Sequence, residues 1–323
     1  MVAALVGASE GDLPLIVVVG ATASGKSSLA IHLAEAFDGE VVSCDSVAVY
    51  REMEIATAKP SFEERARVQH HMIDVVSPDE ACTAGDYSRG AREALAGIAG
   101  RGKLGIVAGG TGLYLRALID GLFPAPPRDA RLRAELRAEA DEHGAEHLHR
   151  RLRELDAAAA EAIHANDVSK VIRAIEVSLA AQQPMTEMWE RGRDALTGYR
   201  ILRIGLEPGR ERLYERINER AAAMFDRGLV EETDRLVERY GYECRPLTSL
   251  GYAEAVSVLR GESSRDEAVA KAQQGHRNYA KRQGTWFRKD KEIRWLQGAG
   301  GDGDVVEAAT ALVRDWVGEG QSG

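Results

Sequence analysis

Cysteine is scarce. The three residues in 323, Cys44, Cys82 and Cys244, are odd in number and scattered, which suggests neither a disulfide framework nor a Cys-pair zinc site. Long apolar runs are missing as well: Leu13 to Val19 and Leu104 to Ala108 fall far short of the ~20 apolar residues a membrane-spanning helix needs. Met1 to Leu13 carries no Lys or Arg, so it does not read as a secretory signal. Positive charge is in deficit over the whole chain, with 42 Lys and Arg against 51 Asp and Glu and a formal charge of −9. Polyphosphates are bound chiefly by Lys and Arg, so that total argues at first sight against a nucleic-acid partner. What these deficits leave is a protein of a reducing, cytoplasmic compartment without membrane segments. Its 44% hydrophobic content is enough for one large domain or two of ordinary size.

Leu15 to Val19 is an apolar, β-branched run that meets a glycine at once, the way a buried parallel strand ends in a phosphate loop. Glu40 to Ser43 and Leu104 to Ala108 read as two more such strands, separated by helical stretches at Ser27 to Phe37 and Gly85 to Gly100. That rhythm predicts an α/β fold, a phosphate-loop parallel sheet flanked by helices. Phe123-Pro124-Ala125-Pro126-Pro127 cannot continue a helix and reads as a linker. From Arg128 to about Met188 the chain is rich in Ala, Arg, Glu and Leu, with no convincing strand. The expected organisation is a discontinuous core over 14–122 and 199–317, ending in C-terminal helices, with an all-helical domain inserted over 123–198. Arg200 to Leu206 returns to the sheet, and Pro208 to Arg227 forms another helix.

Gly20-Ala21-Thr22-Ala23-Ser24-Gly25-Lys26-Ser27 matches the phosphate-loop pattern in full, between a predicted strand and a predicted helix. Small residues let backbone N–H groups wrap an anion, Lys26 neutralises phosphate oxygens, and the Ser27 hydroxyl is the candidate ligand for Mg²⁺. A motor or switch ATPase would end a hydrophobic strand in a magnesium-binding acid. The strand Leu104 to Ala108 instead runs into Gly109-Gly110-Thr111, and the acid stands at Asp45. Parallel strands deliver their C-terminal ends to one crevice, so Asp45, Thr111 and the loop are expected to converge there. An acid and a hydroxyl beside bound phosphate suggest group transfer to a small nucleophile.

In order along the chain stand Gly20 to Ser27, Asp45-Ser46-Val47-Ala48-Val49-Tyr50-Arg51, Thr57-Ala58-Lys59-Pro60 and His70-His71-Met72-Ile73-Asp74. Then come Gly109-Gly110-Thr111-Gly112-Leu113-Tyr114, Arg173-Ala174-Ile175-Glu176-Val177, Gly251-Tyr252 and Lys281-Arg282-Gln283-Gly284-Thr285-Trp286-Phe287-Arg288. Taken as an ordered set from about Pro14 to Trp295, these motifs closely resemble the tRNA dimethylallyltransferases, also called tRNA isopentenyltransferases. The resemblance implies transfer of a dimethylallyl group from dimethylallyl diphosphate to N6 of adenosine 37, next to the tRNA anticodon, with release of diphosphate. The loop would then hold the donor's diphosphate instead of ATP.

On the same ground, Asp45 would orient the adenine amine and accept its proton, and Lys26 with Mg²⁺ at Ser27 would neutralise the leaving diphosphate. Thr111 would hydrogen-bond near the reacting centre. Arg220 is the candidate second cation on the diphosphate, although Arg216 lies one helical turn away on nearly the same face and could serve instead. The tRNA contacts carried over are Asp45, Ser46, Val47, Ala48, Thr111, Lys170, Arg173, Gly251, Tyr252, Lys281, Arg282, Gln283, Thr285, Trp286 and Arg288, and the inserted helices would clamp the anticodon stem-loop. The chain departs from the common pattern at Ala48, where many members have Gln, at Ala56, where many have Gly, and at Lys170, where Arg is frequent. The last change keeps the charge but loses a planar fork.

The clearest basic feature is His276 to Glu292, where Arg277, Lys281, Arg282, Arg288, Lys289 and Lys291 face only Asp290 and Glu292. Helical spacing puts Arg277, Lys281 and Arg288 on one face and Ala272, Tyr279, Gln283 and Trp286 on another. His70 and His71 are adjacent and so do not share a face, which favours a structural role over a metal site. Tyr50 and Tyr114 could stack on a base or fill the core. Three alternatives remain: an adenylate isopentenyltransferase acting on free nucleotide, a small-molecule kinase, and a nucleotide-dependent switch or RNA-binding module without chemistry. The expected enzyme works as a monomer.

Overall fold

The computed structural model describes residues 13–57, 59–190 and 192–319. The first part of the chain runs β1 (Leu13–Gly20), α1 (Lys26–Ala36), β2 (Gly39–Cys44), α2 (Phe62–Arg67), β3 (His70–His71), α3 (Ala84–Gly100), β4 (Leu104–Gly109) and α4 (Gly112–Ile119). Five helices follow: α5 (Ala130–His143), α6 (Ala145–Leu155), α7 (Ala157–Ala162), α8 (Val168–Ala181) and α9 (Met185–Glu190). The last part is β5 (Tyr199–Glu207), α10 (Arg210–Asp226), α11 (Leu229–Tyr240), a 3-10 turn at Arg245–Thr248, α12 (Tyr252–Leu259), α13 (Arg265–Phe287), β6 (Ile293–Gln297) and α14 (Gly303–Glu319).

The six strands form one parallel sheet in the order β3-β2-β4-β1-β5-β6. Leu15, Ile16, Val17 and Val18 of the central β1 are fully buried, as a parallel strand covered on both faces requires. Beside the sheet, Leu29 and Leu33 of α1 and Val305, Ala309 and Val313 of α14 close one core with Ile16, Val18, Ile106 and Ile204. α3 starts on a capping box in which Thr83 accepts from the Asp86 N–H and Asp86 accepts from the Thr83 N–H. It then buries Tyr87, Ala91, Leu95 and Ile98 at helical spacing. The four strands read from apolar runs are present, and the structure adds the two sheet edges, β3 and β6. A two-residue strand shows no periodicity, and Ile293-Arg294-Trp295-Leu296-Gln297 is buried only at Ile293. Among the described residues no helix is long and apolar enough to cross a membrane.

The chain divides into two compact units, one of Ile119–Ala195 and the other of everything else. The sequence-based bounds of 123–198 lie a few residues further on at each end. The smaller unit has its own core of Leu136, Leu148, Leu152, Val171, Ile172 and Ile175. Its polar centre is Glu176, fully buried on α8, which accepts from the Asp129 N–H at 2.7 Å, from Arg133 at 3.0 Å and from Arg173 at 2.7 Å. Arg173 also donates to the Pro126 carbonyl, so the Pro-rich segment at the entrance to the helices is tied to α8.

Burial alone would raise the Glu176 pKa, but Arg173, the Asp129 N–H and Arg133 outweigh it and hold the carboxyl below its usual range. A carboxyl whose folded pKa is depressed stabilises the fold above its unfolded pKa and loses that contribution as pH falls through the folded one. The helical unit is therefore expected to weaken on acidification below the ordinary carboxylate range. Glu176→Ala, which leaves two guanidiniums without their partner, should cost about 3 kcal/mol in chemical unfolding at neutral pH and abolish that acid dependence.

Candidate functional site

β1 ends at Gly20, and the backbone then turns through Ala23 with φ 63° and Gly25 with φ 87°, the left-handed bends that wrap a phosphate loop around an anion. The loop is braced from outside at four points. The Thr22 N–H donates to Gln283 Oε1 at 2.8 Å, Arg216 Nε donates to the Ala23 carbonyl at 2.9 Å, the Gly300 N–H donates to the Ser24 carbonyl at 2.9 Å, and Arg220 Nη1 donates to Thr22 Oγ1 at 3.3 Å. A side chain on Gly300 would stand 2.3 Å from the Gly25 carbonyl, so the glycine-rich turn before α14 is a backbone-to-backbone support for the loop.

Lys26 donates to the Ala21 carbonyl at 2.7 Å. Burial first, and then the neighbouring Arg220 guanidinium, lower its pKa to about 8, while Asp45 opposes them. Two cations that repel each other beside an open loop make a site for an anion of more than one charge. Arg220 and Lys26 both line the cleft, while Arg216 holds the Ala23 carbonyl and, with Lys26, Ser27 and Arg220, lines a neighbouring opening of the loop.

Asp45 follows β2. Its Oδ1 accepts from the Val47 and Ala48 N–H groups at 2.8 and 3.1 Å, which fixes the carboxylate, and its Oδ2 accepts no hydrogen bond from a described residue. Thr111 follows β4, and its hydroxyl accepts from the Ser46 N–H at 3.1 Å, joining the two strand-end turns. The glycines between them are there for close approach. Added side chains would stand 2.1 Å from the Cys44 carbonyl at Gly109, 2.1 Å from Gln283 at Gly110 and 2.3 Å from Trp286 at Gly112. Thr22, Lys26, Ser27, Asp45, Ala48, Gly109, Gly110 and Arg220, with Tyr279 and Gln283 of α13, line a single cleft with a volume of about 100 Å³. Cys44 lies beside it without being a nucleophile, because burial pushes its thiol up to about 12.

Thr57, Lys59, Pro60, His70 and Ile73 line the same cleft, and their motifs also brace the chain around it. Lys59 is buried and donates to the Tyr50 carbonyl at 2.7 Å, to Glu54 at 2.9 Å and to Asp74, which also takes Arg65 at 2.7 Å. The Thr57 to Pro60 and His70 to Asp74 motifs thus meet in one ion cluster that folds the segment after Asp45. His71 pairs with Glu40 at 2.7 Å and His70 with the Val68 carbonyl at 2.8 Å. Tyr50 and Tyr114 are buried, Tyr114 stacked on Tyr87 at 4.3 Å, so both fill the core and neither is open to a base.

Several expected tRNA contacts need correction. Tyr252 is fully buried and donates to Glu232 at 2.6 Å, and the same Glu232 oxygen accepts from the Glu54 and Ile55 N–H groups. Gly251 beside it has φ 91° and sits 2.8 Å, measured to an added Cβ, from Ala56. Both residues pack α12 against the segment after Asp45 and present no surface. Gln283 is buried with both ends of its amide engaged, on Thr22 and on the Gly110 carbonyl at 2.9 Å. Arg173 belongs to the Glu176 cluster. Ser46 and Val47 are half-buried in the turn after Asp45 and Ala48 is buried at the cleft wall, while Lys170 is exposed beside Asp167.

On α13 the buried stripe is Ala268, Ala272, His276, Ala280, Gln283 and Phe287, which leaves Lys281, Arg282, Thr285 and Trp286 exposed, with Arg288 just beyond. Trp286, read onto one face with Ala272, Tyr279 and Gln283, is exposed where Ala272 and Gln283 are buried, and Arg277 is turned to Asn218 of α10. Tyr279, read only as a helix-face residue, lies in the cleft. Burial and the Asp45 carboxylate push its hydroxyl up to about 12, so it stays a donor.

Comparison with known proteins decides the family. The model of the IPP transferase family matches residues 48–290, and that of the isopentenyl transferases matches 13–77. The tRNA dimethylallyltransferase of Koribacter versatilis is 59% identical over 303 residues, covering 94% of this chain and 99% of that one. The chain belongs to the tRNA dimethylallyltransferases. Among solved structures of this family, the tRNA isopentenylpyrophosphate transferase of Bacillus halodurans aligns with a TM-score of 0.72 at 34% identity, covering 95% of this chain and 98% of that one. A eukaryotic dimethylallyltransferase, crystallised while acting on tRNA, aligns with a TM-score of 0.81 at 25% identity, over 95% and 80% of the two chains.

In this dimethylallyltransferase Gln283 ties the phosphate loop to the Gly109 to Thr111 turn. Its removal by Gln283→Leu, which leaves the Thr22 N–H and the Gly110 carbonyl unpaired, is expected to cost about 2 kcal/mol of stability and to weaken diphosphate binding. Denaturant titration and calorimetry with inorganic diphosphate check the two effects separately.

Proposed function

We propose that this transferase moves the dimethylallyl group of dimethylallyl diphosphate to N6 of adenosine 37 in tRNA and releases diphosphate. The observation that carries the reading is one cleft with two cations at the phosphate loop and a carboxylate with an unused oxygen at the facing strand end. The N6 amine attacks C1 of the dimethylallyl group, the C–O bond to diphosphate breaks, and the amine proton passes to Asp45. A purine amine is a poor nucleophile, so a fixed carboxylate both aims it and takes its proton. Lys26, Arg220 and the loop N–H groups meet the charge that develops on the leaving diphosphate. Thr111 supports this from the facing turn.

Mg²⁺ fits the donor set. Ser27 presents an exposed hydroxyl at the start of α1, and the described residues hold no group of three His, Cys, Asp or Glu that would favour another metal. Mg²⁺ bound to phosphates needs few protein ligands, so Ser27 would hold it, and the ion would offset charge on the diphosphate. The tRNA would reach the cleft with the target base out of the anticodon stack. Lys281, Arg282, Thr285, Trp286 and Arg288, exposed along or just after α13, support contact with the anticodon loop. Lys170 and the helical unit would hold the stem-loop, on the ground of the family alone. We place the enzyme in the cytoplasm as a monomer.

Incubation with unmodified tRNA or AMP, dimethylallyl diphosphate and Mg²⁺, followed by nucleoside mass analysis, is expected to give prenyl-adenosine from tRNA only. Product from AMP would instead mark a free-nucleotide enzyme. Asp45→Asn keeps the acceptor for the Val47 and Ala48 N–H groups and removes the base. It should lower kcat by roughly 10²- to 10⁴-fold with tRNA affinity near that of the unaltered chain. Lys26, at about 8 in the free protein, loses its charge as pH rises through that value, so kcat/KM for the donor should fall on the alkaline side of about 8. Lys26→Arg should remove that limb of the pH profile.

A further inference from the structure

Two buried nitrogens beside the phosphate loop have no hydrogen-bond partner, Arg220 Nε on α10 and His276 Nε2 on α13. Both residues line one recess under Thr22 and Ala23, and the recess has no room for a water molecule. Arginine nitrogens only donate, and a neutral imidazole accepts at the nitrogen that carries no proton, so an unmet donor and a nitrogen able to accept share a space that a water cannot enter.

The pair is built into the helix packing. His276 is 8% exposed and sits in the buried stripe of α13 between Ala272 and Ala280. On α10, Ile217, Ala221 and Met224 line the same recess as Arg220. Burial first, and then the Arg220 charge, lower the His276 pKa to about 4, which keeps the ring neutral and able to accept. An apolar side chain would fill this place in the stripe without leaving a nitrogen unmet. The imidazole has a use only if the guanidinium turns to it. Arg220 is tethered at one end alone, by Nη1 on Thr22.

We propose that His276 is a positioning residue for Arg220: its Nε2 accepts the Arg220 Nε–H when diphosphate enters, locking the guanidinium with Nη1 on Thr22 and its remaining edge toward the leaving group. This deepens the diphosphate reading of the cleft and rests on it. The probe is inorganic diphosphate with Mg²⁺, titrated calorimetrically into the full chain, with melting temperatures measured alongside. His276→Leu is expected to weaken diphosphate about tenfold, the scale of one charge-assisted hydrogen bond, without a matching fall in melting temperature. His276→Gln, which supplies an acceptor, should restore most of the affinity. In an Arg220→Lys background, which has no Nε–H fork to hold, His276→Leu should cost nothing further. The proposal is overturned if His276→Leu binds like the unaltered chain, if His276→Gln loses as much as Leu, or if the losses of His276→Leu and Arg220→Lys multiply. Prenyl transfer is not read in this measurement. A chain that shows the expected coupling yet modifies no tRNA overturns the proposed activity and leaves this inference standing.

Discussion

The site depends on two cations held close together with too little anion around them. Lys26 and Arg220 each lose solvation at the phosphate loop, and each is disfavoured by burial. The carboxylate whose charge acts on both is Asp45, and its Oδ1 already serves two backbone N–H groups. In a low-dielectric cleft such an imbalance is costly until a multiply charged ligand arrives. In the proposed reaction the donor's diphosphate would remove it, most strongly as the bond to the alkyl group breaks and a further charge appears. The same arrangement that strains the free site therefore favours the departing state.

Holding that imbalance requires a rigid frame, and the rest of the core supplies it. β1, β2 and β4 present their C-terminal ends side by side because the sheet is parallel. The turns after β2 and β4 are then knitted by Thr111 and Ser46, and Gln283 joins the phosphate loop to the Gly109 to Thr111 turn from α13. The approach is so close that a side chain at Gly109 would meet the Cys44 backbone, and side chains at Gly110 and Gly112 would displace Gln283 and Trp286. A loop braced at Thr22, Ala23 and Ser24 by residues from three later parts of the chain cannot be set before those parts are folded. The phosphate site is thus a product of the whole core and not of its local motif.

That dependence explains what could be read from the sequence. Buried central strands, the phosphate loop and the convergence of Asp45 with Thr111 follow from local pattern and from the topology it implies. The edge strands do not, since His70–His71 is too short and Ile293–Gln297 too polar to show a period. Among the motif residues carried over as tRNA contacts, Tyr252 is fully buried, and Gln283 is a clasp in the cleft wall. A residue type fixed by a motif shows that its place matters, but a buried clasp and a ligand contact have the same signature in one dimension. Tyr279 and His276 were obscured in the opposite way. Both lie on the packed side of a helix whose charges drew attention outward, and only the approach of α10 and the phosphate loop turns them into neighbours of the chemistry.

The net charge of −9 is resolved by the same distinction between local and total. Many basic side chains here are committed to ion pairs: Arg173 and Arg133 to Glu176, Lys59 and Arg65 to Asp74, Arg212 to Asp302, Arg203 to Asp290. Acids consumed in such pairs do not repel a polyanion as isolated charges would, because at contact distance each pair is nearly neutral beyond a Debye length of about 8 Å. What an approaching RNA meets is therefore set by the residues outside the pairs. On α13 these include the exposed Lys281 and Arg282, with Trp286 beside them. An acidic protein can bind RNA on these terms if its acids are the better paired of the two signs on the face that binds. The formal charge of a whole chain bounds its long-range field and leaves the sign of that face open.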